Sequence, residues 1–126
     1  MNLTRQQVLD YVYPALVAQG GPSRSPNGLC LYNGPEGTHC AIGWLIGSHT
    51  AVEGSSVCDL AMTVLFPWLL ADLQFYRQLQ AAHDTASDRR DSDYNWVQAL
   101  EPNFNRLASH FNLDFPPTVG VPADGP

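Results

Sequence analysis

The chain has 126 residues, 44% of them apolar, which fills one core without disulfide or metal staples; one globular domain over residues 1–113 is expected, followed by a flexible proline-rich tail, 114–126. Six basic residues face twelve acidic ones, for a net charge of −6; all six are arginine and only Arg89 and Arg90 are adjacent, so the clustered positive charge that direct nucleic-acid binding needs is missing. No basic n-region leads into an apolar run and no stretch approaches the roughly 20 apolar residues that span a bilayer, so a soluble, unsecreted, cytoplasmic protein with no membrane partner is expected.

Thr4-Arg5-Gln6-Gln7 is a Thr-x-x-Gln capping box and starts a helix. Val8, Val12, Ala15, Leu16 and Gln19 recur at helical steps, Gly20-Gly21-Pro22 stops the run, and Pro14 is placed to kink it. Residues 21–28, "GPSRSPNG", are turn chemistry throughout and read as a loop. Leu29 to Tyr32 is a short β-like run, and Asn33-Gly34-Pro35-Glu36-Gly37 reverses it, which predicts a small hairpin or strand-loop near residues 29–40. Thr38 then caps a short helix over Cys40 to Gly47, with Ala41, Leu45 and Trp44 facing inward; a second strand through His39 to Leu45 is the alternative.

Residues 48–56 read as loop, and Ser55 or Ser56 caps a helix whose apolar positions are Val57, Leu60, Ala61, Val64 and Leu65. Pro67 ends that helix or becomes the first turn of the next, and one core helix runs from Trp68 to about Ala86 with Leu69, Leu73, Tyr76 and Leu79 as its stripe. "TASDRRDSD" is a solvated charged connector, after which Trp96, Leu100, Phe104, Leu107 and Phe111 repeat at helical steps, with Pro102 off the stripe. The expected fold is mainly α (α+β), about five helices around one core with the small β element near residues 29–40.

The chemistry-bearing stretch is "CLYNGPEGTHCAIGWLIG", Cys30 to Gly47. A glycine turn running into a helix start points backbone amides one way and invites an anion. The candidate ligand-binding set is therefore Tyr32, Gly34, Gly37, Thr38, His39, Cys40 and Trp44, the amides holding a phosphate and Tyr32 or Trp44 stacking on a ring. With Thr38 as the cap, Cys40 falls in the first helical turn, where a thiolate is favoured. That gives a second reading, a cysteine hydrolase using Cys40 as nucleophile and His83 as base, with Asp84 or Asp59 to orient the imidazole. Asp84, adjacent to His83 on one helix, is poorly placed for that role, and a free cysteine is more often buried and inert. Metal binding by Cys30, His39, Cys40, His49, Cys58 or His83 lacks the close ligand pairs of a zinc site, so neither a metal nor another cofactor is expected. Three cysteines without CxxC spacing read as reduced thiols, His83 reads as a helix-end residue meeting the dipole, and His49 and His110 have no visible partner.

The pattern C-x-Y-x-G-P-x-G-x-x-C-A-x-G-x-L-I, filled by Cys30, Tyr32, Gly34, Pro35, Gly37, Cys40, Ala41, Gly43, Leu45 and Ile46, resembles that of small bacteriophage and prophage accessory proteins over residues 3–113. Trp44 departs from it, standing where the pattern often has cysteine, which weakens a metal or disulfide role there. The resemblance implies a phage or prophage origin more than an activity; by analogy with other small, acidic phage proteins, action on the bacterial host by inhibiting a defence component is expected. Charged residues are only 14% of the chain against a typical value near 25%, which favours a partner or ligand surface. Two mechanisms suit it: an acidic, charge-poor surface that occludes a basic face of a host protein or complex, as anti-CRISPR proteins do, or a glycine turn that sequesters a small nucleotide signal. The first needs only surface complementarity and is preferred.

Overall fold

The structure, a computed structural model, describes residues 3–24, 31–47, 53, 57, 59–87 and 95–116. Leu29, Cys30, His49, Ser55, Ser56, Cys58, Arg89, Arg90 and the tail beyond Pro116, all singled out in the sequence, lie outside them. The described chain is mainly α-helical: α1 (Arg5–Gln19), a 3₁₀ turn (Pro35–Gly37), α2 (Gly43–Ile46), α3 (Leu60–Leu65), α4 (Trp68–Ala71), α5 (Leu73–Ser87) and α6 (Trp96–His110). Among the described residues the expected hairpin is reduced to one antiparallel bridge, Asn33 with His39, and no strand forms. Pro35, which has no amide to give to a ladder, opens a 3₁₀ turn between the two bridge partners instead.

The helix ends follow their local chemistry. Thr4 accepts from the Gln7 amide while the Gln7 side chain takes the Thr4 amide, and Gly20, at φ 81°, closes α1 in the left-handed conformation open to glycine. Asn95 caps α6 by accepting from the Gln98 amide. Pro14 and Pro102 both sit inside continuous helices rather than breaking them.

The α5/α6 pair and α1 enclose most of the core, with Val8, Leu9, Val12, Tyr13, Leu16, Phe75, Leu79, Leu100, Phe104 and Leu107 buried between them. Polar side chains tie the layers: the Trp96 indole donates to the Leu16 carbonyl at 2.7 Å, joining α6 to α1, and Asn103 donates to the Ala82 carbonyl, joining α6 to α5. Arg24 reaches across to the end of α5, donating to the Ser87 carbonyl at 2.7 Å and hydroxyl at 2.9 Å.

Two expected helices depart from their patterns. The long helix from Trp68 is broken at Asp72, whose backbone leaves the helical region at φ −150°, ψ 51° and whose carboxylate takes two hydrogen bonds from Arg5. The helix over residues 60–65 is turned over relative to its expected face: Met62, Thr63 and Phe66 are buried, whereas Leu60, Val64 and Leu65 are 77%, 67% and 50% exposed. Aromatic contacts set that orientation. Phe66 meets Trp68 at 6.0 Å, Trp68 meets Tyr76 at 5.1 Å, Tyr76 meets Phe75 at 5.4 Å and Phe75 meets Phe111 at 5.2 Å, with the Arg5 guanidinium over Phe111 at 4.7 Å.

Candidate functional site

In the glycine turn the amides of Tyr32, Asn33, Gly34, Thr38 and His39 have partners in the protein. The Tyr32 and Asn33 amides donate to the two carboxylate oxygens of Glu53 at 2.8 and 2.9 Å. The Gly34 amide donates to the Thr38 carbonyl, the Thr38 amide to the Pro35 carbonyl, and the His39 amide to Gln19 Oε1. The turn does hold an anion, and that anion is the chain's own Glu53. Thr38 does not cap a helix: its hydroxyl closes the 3₁₀ turn by donating to the Pro35 carbonyl at 2.8 Å, and its backbone is extended. The helix begins five residues later, at Gly43, so Cys40 lies before it rather than in its first turn.

Gln19, at the last position of α1, is the hub on the other side. Its amide nitrogen donates to the Gly21 and His39 carbonyls, both at 2.8 Å, and its oxygen accepts from the His39 amide and the Trp44 indole. His39 Nδ1 lies 3.2 Å from the Tyr32 carbonyl, and its ring packs on Trp44 at 4.6 Å, with Tyr11 on that indole at 6.4 Å. Tyr32 is only 6% exposed, and burial raises its phenol above the ordinary value. Both aromatics expected to stack on a ligand therefore pack within the protein. Gly34 and Gly43 are needed for space: a Cβ at Gly34 would meet the Ser23 and Thr38 hydroxyls at 2.3 and 2.6 Å, and one at Gly43 would meet the Tyr32 carbonyl oxygen at 2.0 Å. Gly37, at φ 75°, is needed for its left-handed backbone.

Cys40 is buried at 1% exposure, and removal from water pushes its thiol up to about 12. The Gly43 amide and the Gln80 side chain hydrogen-bond to the sulfur without offsetting that cost. A group with so little thiolate at neutral pH is a packing residue, the reverse of the activated nucleophile expected from a helix-start position. Gln80 also accepts from the Ile42 amide at 2.9 Å and donates to Asp84 at 3.0 Å.

His83 and Asp84 are brought together, contrary to the expectation that neighbours on one helix diverge: His83 Nδ1 lies 2.8 Å from Asp84 Oδ1. His83 is fully buried, with its ring 5.6 Å from Trp96, so it belongs to the α5/α6 interface and not to an exposed helix end. Its Nε2 has no hydrogen-bond partner among the described residues, so the base of a Cys-His pair does not reach Cys40. Asp59 stands at the start of α3 and is no orienting group for His83, whose carboxylate partner is Asp84. Among the described residues no three His, Cys, Asp or Glu side chains are grouped to hold a metal.

Three residues that organise this region, Gln19, Glu53 and Gln80, were not singled out as site residues. Glu53 carries a signal in hindsight, as the only acidic residue in the 48–56 loop; the two glutamines carry none beyond lying on helices. No protein-family model matches the chain, and neither does any curated protein or solved structure.

Proposed function

We propose that this chain is a non-enzymatic binding protein of phage or prophage type that inhibits a component of bacterial host defence by covering a basic surface of a host protein or complex in the host cytoplasm. The observation that carries the reading is the internal commitment of the motif stretch. Its thiol is buried and raised to about 12, and a carboxylate of the chain already sits on its turn amides. What the chain offers outward is an acidic, charge-poor exterior. On α1, Gln6 bonds both Asp10 and the backbone of Asp114, drawing two exposed carboxylates to one corner of the molecule. Acidic rims of this kind steer encounter with basic surfaces and set specificity.

The test is biological. The chain is expressed in bacteria carrying, one at a time, nucleic-acid-guided and nucleotide-signalled defence systems, which are then challenged with phage. Restored plaque formation against at least one system, kept by a folded Cys40→Ala variant and reduced by Asp10→Lys with Asp114→Lys, is the expected result. Unchanged plaque counts against every system, or loss of the effect on Cys40→Ala with the fold intact, overturns the reading.

A further inference from the structure

Residues Asp114 to Pro116, which open the proline-rich segment after α6, are seated on the body of the protein. Asn112, at φ 60°, turns the chain back, and the Leu113 amide is tied to the Ala108 carbonyl at 2.7 Å. The Gln6 carboxamide on α1 then grips both backbone groups of Asp114: its nitrogen donates to the Asp114 carbonyl at 2.9 Å and its oxygen accepts from the Asp114 amide at 2.8 Å. That is the double bond pattern one antiparallel strand residue gives another, supplied here by a side chain, and it recognises main chain whatever residue carries it. Phe115 packs on Tyr13 at 5.0 Å, Tyr13 packs on Phe104 of α6 at 5.2 Å, and Pro116 is buried. We infer that Gln6, Tyr13 and Phe104 form a binding site for an extended aromatic-proline peptide, filled in cis by Asp114-Phe115-Pro116 and entered by exchange with a partner protein's segment of the same chemistry.

The contacts are those of a docked peptide: a main-chain pair, one aromatic anchor and a proline whose ring holds the preceding residue extended before it docks. The Gln6 clasp lies at the surface and Phe115 is only half-buried, whereas α1 and α6 are joined independently by the Trp96 indole on the Leu16 carbonyl. The segment can therefore leave without opening the core. A second observation marks the site as one for a ligand. Tyr13 is fully buried, yet its hydroxyl has no hydrogen-bond partner among the described residues, an arrangement that finished cores avoid. The seated segment gives that hydroxyl no acceptor, so a peptide that brings one replaces it at a gain. A short tether holds the segment at an effective concentration on the order of millimolar, which a foreign peptide must match in concentration or exceed in affinity. A second copy's segment has no such advantage over the one in cis, which reaches the site across Asn112 and Leu113 alone.

The probe is the acetylated and amidated peptide Leu-Asp-Phe-Pro-Pro, titrated into isotope-labelled full chain and read by nuclear magnetic resonance at the Gln6 side-chain amide. Phe115→Ser with Pro116→Ser in the full chain frees the site, and binding ~10-fold tighter than to wild type is expected, with unchanged far-UV circular dichroism. Adding Gln6→Ala is expected to abolish it, and a control peptide with alanine for phenylalanine is expected not to bind. No shift of the Gln6 amide in the freed variant at about 10 mM peptide, or equal binding of the control, overturns the proposal. Should the double substitution fail to fold, wild type at the same peptide concentration is expected to lose hydrogen-exchange protection at the Asp114 amide, and unchanged protection overturns the proposal. A wild-type mass of twice 13.8 kDa that falls to 13.8 kDa on Phe115→Ser with Pro116→Ser overturns the foreign partner and gives the site to a second copy's segment.

Discussion

Gly43→Ala sets two physical effects of opposite sign against each other. Gly43 is the first residue of α2, and helix propensity alone predicts that alanine there stabilises by up to about 1 kcal/mol. The packing predicts the reverse. The added Cβ would lie 2.0 Å from the Tyr32 carbonyl oxygen, 2.9 Å from its carbon and 3.1 Å from Tyr32 Cα, all backbone atoms. Relief requires the Tyr32 peptide to move by about 1 Å, and that peptide is pinned by the Glu53 carboxylate on the Tyr32 and Asn33 amides. Overpacking costs typically ~1–3 kcal/mol, and losing charge-assisted bonds to buried amides adds ~1–3 more. A net loss of about 3 kcal/mol is expected from a total of roughly 5–15, which lowers the melting temperature by about 10 °C. Urea unfolding followed by tryptophan fluorescence measures it. Gly34→Ala, whose obstacles are two hydroxyls and not a peptide, should lose about 1–2 kcal/mol, and Gly20→Ala, with open space but φ 81°, about 1. A Gly43→Ala protein as stable as wild type would refute the close approach of α2 to the Tyr32 backbone.

Cys40 should resist iodoacetamide in the folded protein from pH 7 to 9 and react at once on unfolding, read by mass mapping of its own peptide; fast native labelling contradicts its burial. Burial raises both the Cys40 thiol, from 9.0, and the Tyr13 phenol, from 10.0, to about 12, so the unfolded chain gives up these protons first. The associated stability is whole below about pH 9 and is lost as pH rises toward 12. Tyrosine absorbance and far-UV circular dichroism should change together there, and complete ionisation near pH 10 with the fold intact would contradict this. Glu53→Ala should cost about 2–3 kcal/mol and speed hydrogen exchange at the Tyr32 and Asn33 amides in particular; unchanged protection at both removes the carboxylate clamp. Gln80→Leu should cost about 1–3 kcal/mol by orphaning the Ile42 amide, and a urea midpoint equal to wild type would show that this amide has another partner.

Helices α1 and α6 were legible because their ends and faces carry redundant signals. Thr4 with Gln7 starts α1, and Trp96, Leu100, Phe104 and Leu107 are all buried on α6 as their spacing predicts. Residues 60–71 were not legible in the same way. A segment with almost no polar side chain has no solvent face to orient it, so Leu60, Val64 and Leu65 fit a core stripe as well as Met62, Phe66 and Leu69 do. Contacts with residues beyond the segment, Trp68 on Tyr76 and, through it, Phe75 on Phe111, decide between them. Thr38 failed as a cap for a local reason: a hydroxyl three residues after Pro35 closes the 3₁₀ turn before any helix begins. Within the candidate site, the positions of the glycines were readable, but the identity of the anion they meet was not, because Glu53 is brought in from 20 residues away.

That last failure shows how the stretch can be both turn-rich and buried. Tyr32, Cys40, Ala41 and Ile42 are core residues, yet among the described residues the segment from 31 to 42 has one isolated bridge, one 3₁₀ turn and a Leu31-to-Ser23 bond to pair its backbone. Buried amides without a ladder or helix need side-chain acceptors, since each one left unpaired costs as much as a lost hydrogen bond. Gln19 supplies one from α1, Glu53 two from the loop and Gln80 one from α5, so three long polar side chains take the place of a sheet. The spacing of glycines in the motif then follows from packing: Gly34 admits the hydroxyls of Ser23 and Thr38, and Gly43 admits the Tyr32 peptide. A pattern built from such residues specifies how the segment is wired into the core. The capacity to bind a partner has to come from side chains outside the pattern, on the faces that this wiring leaves turned outward.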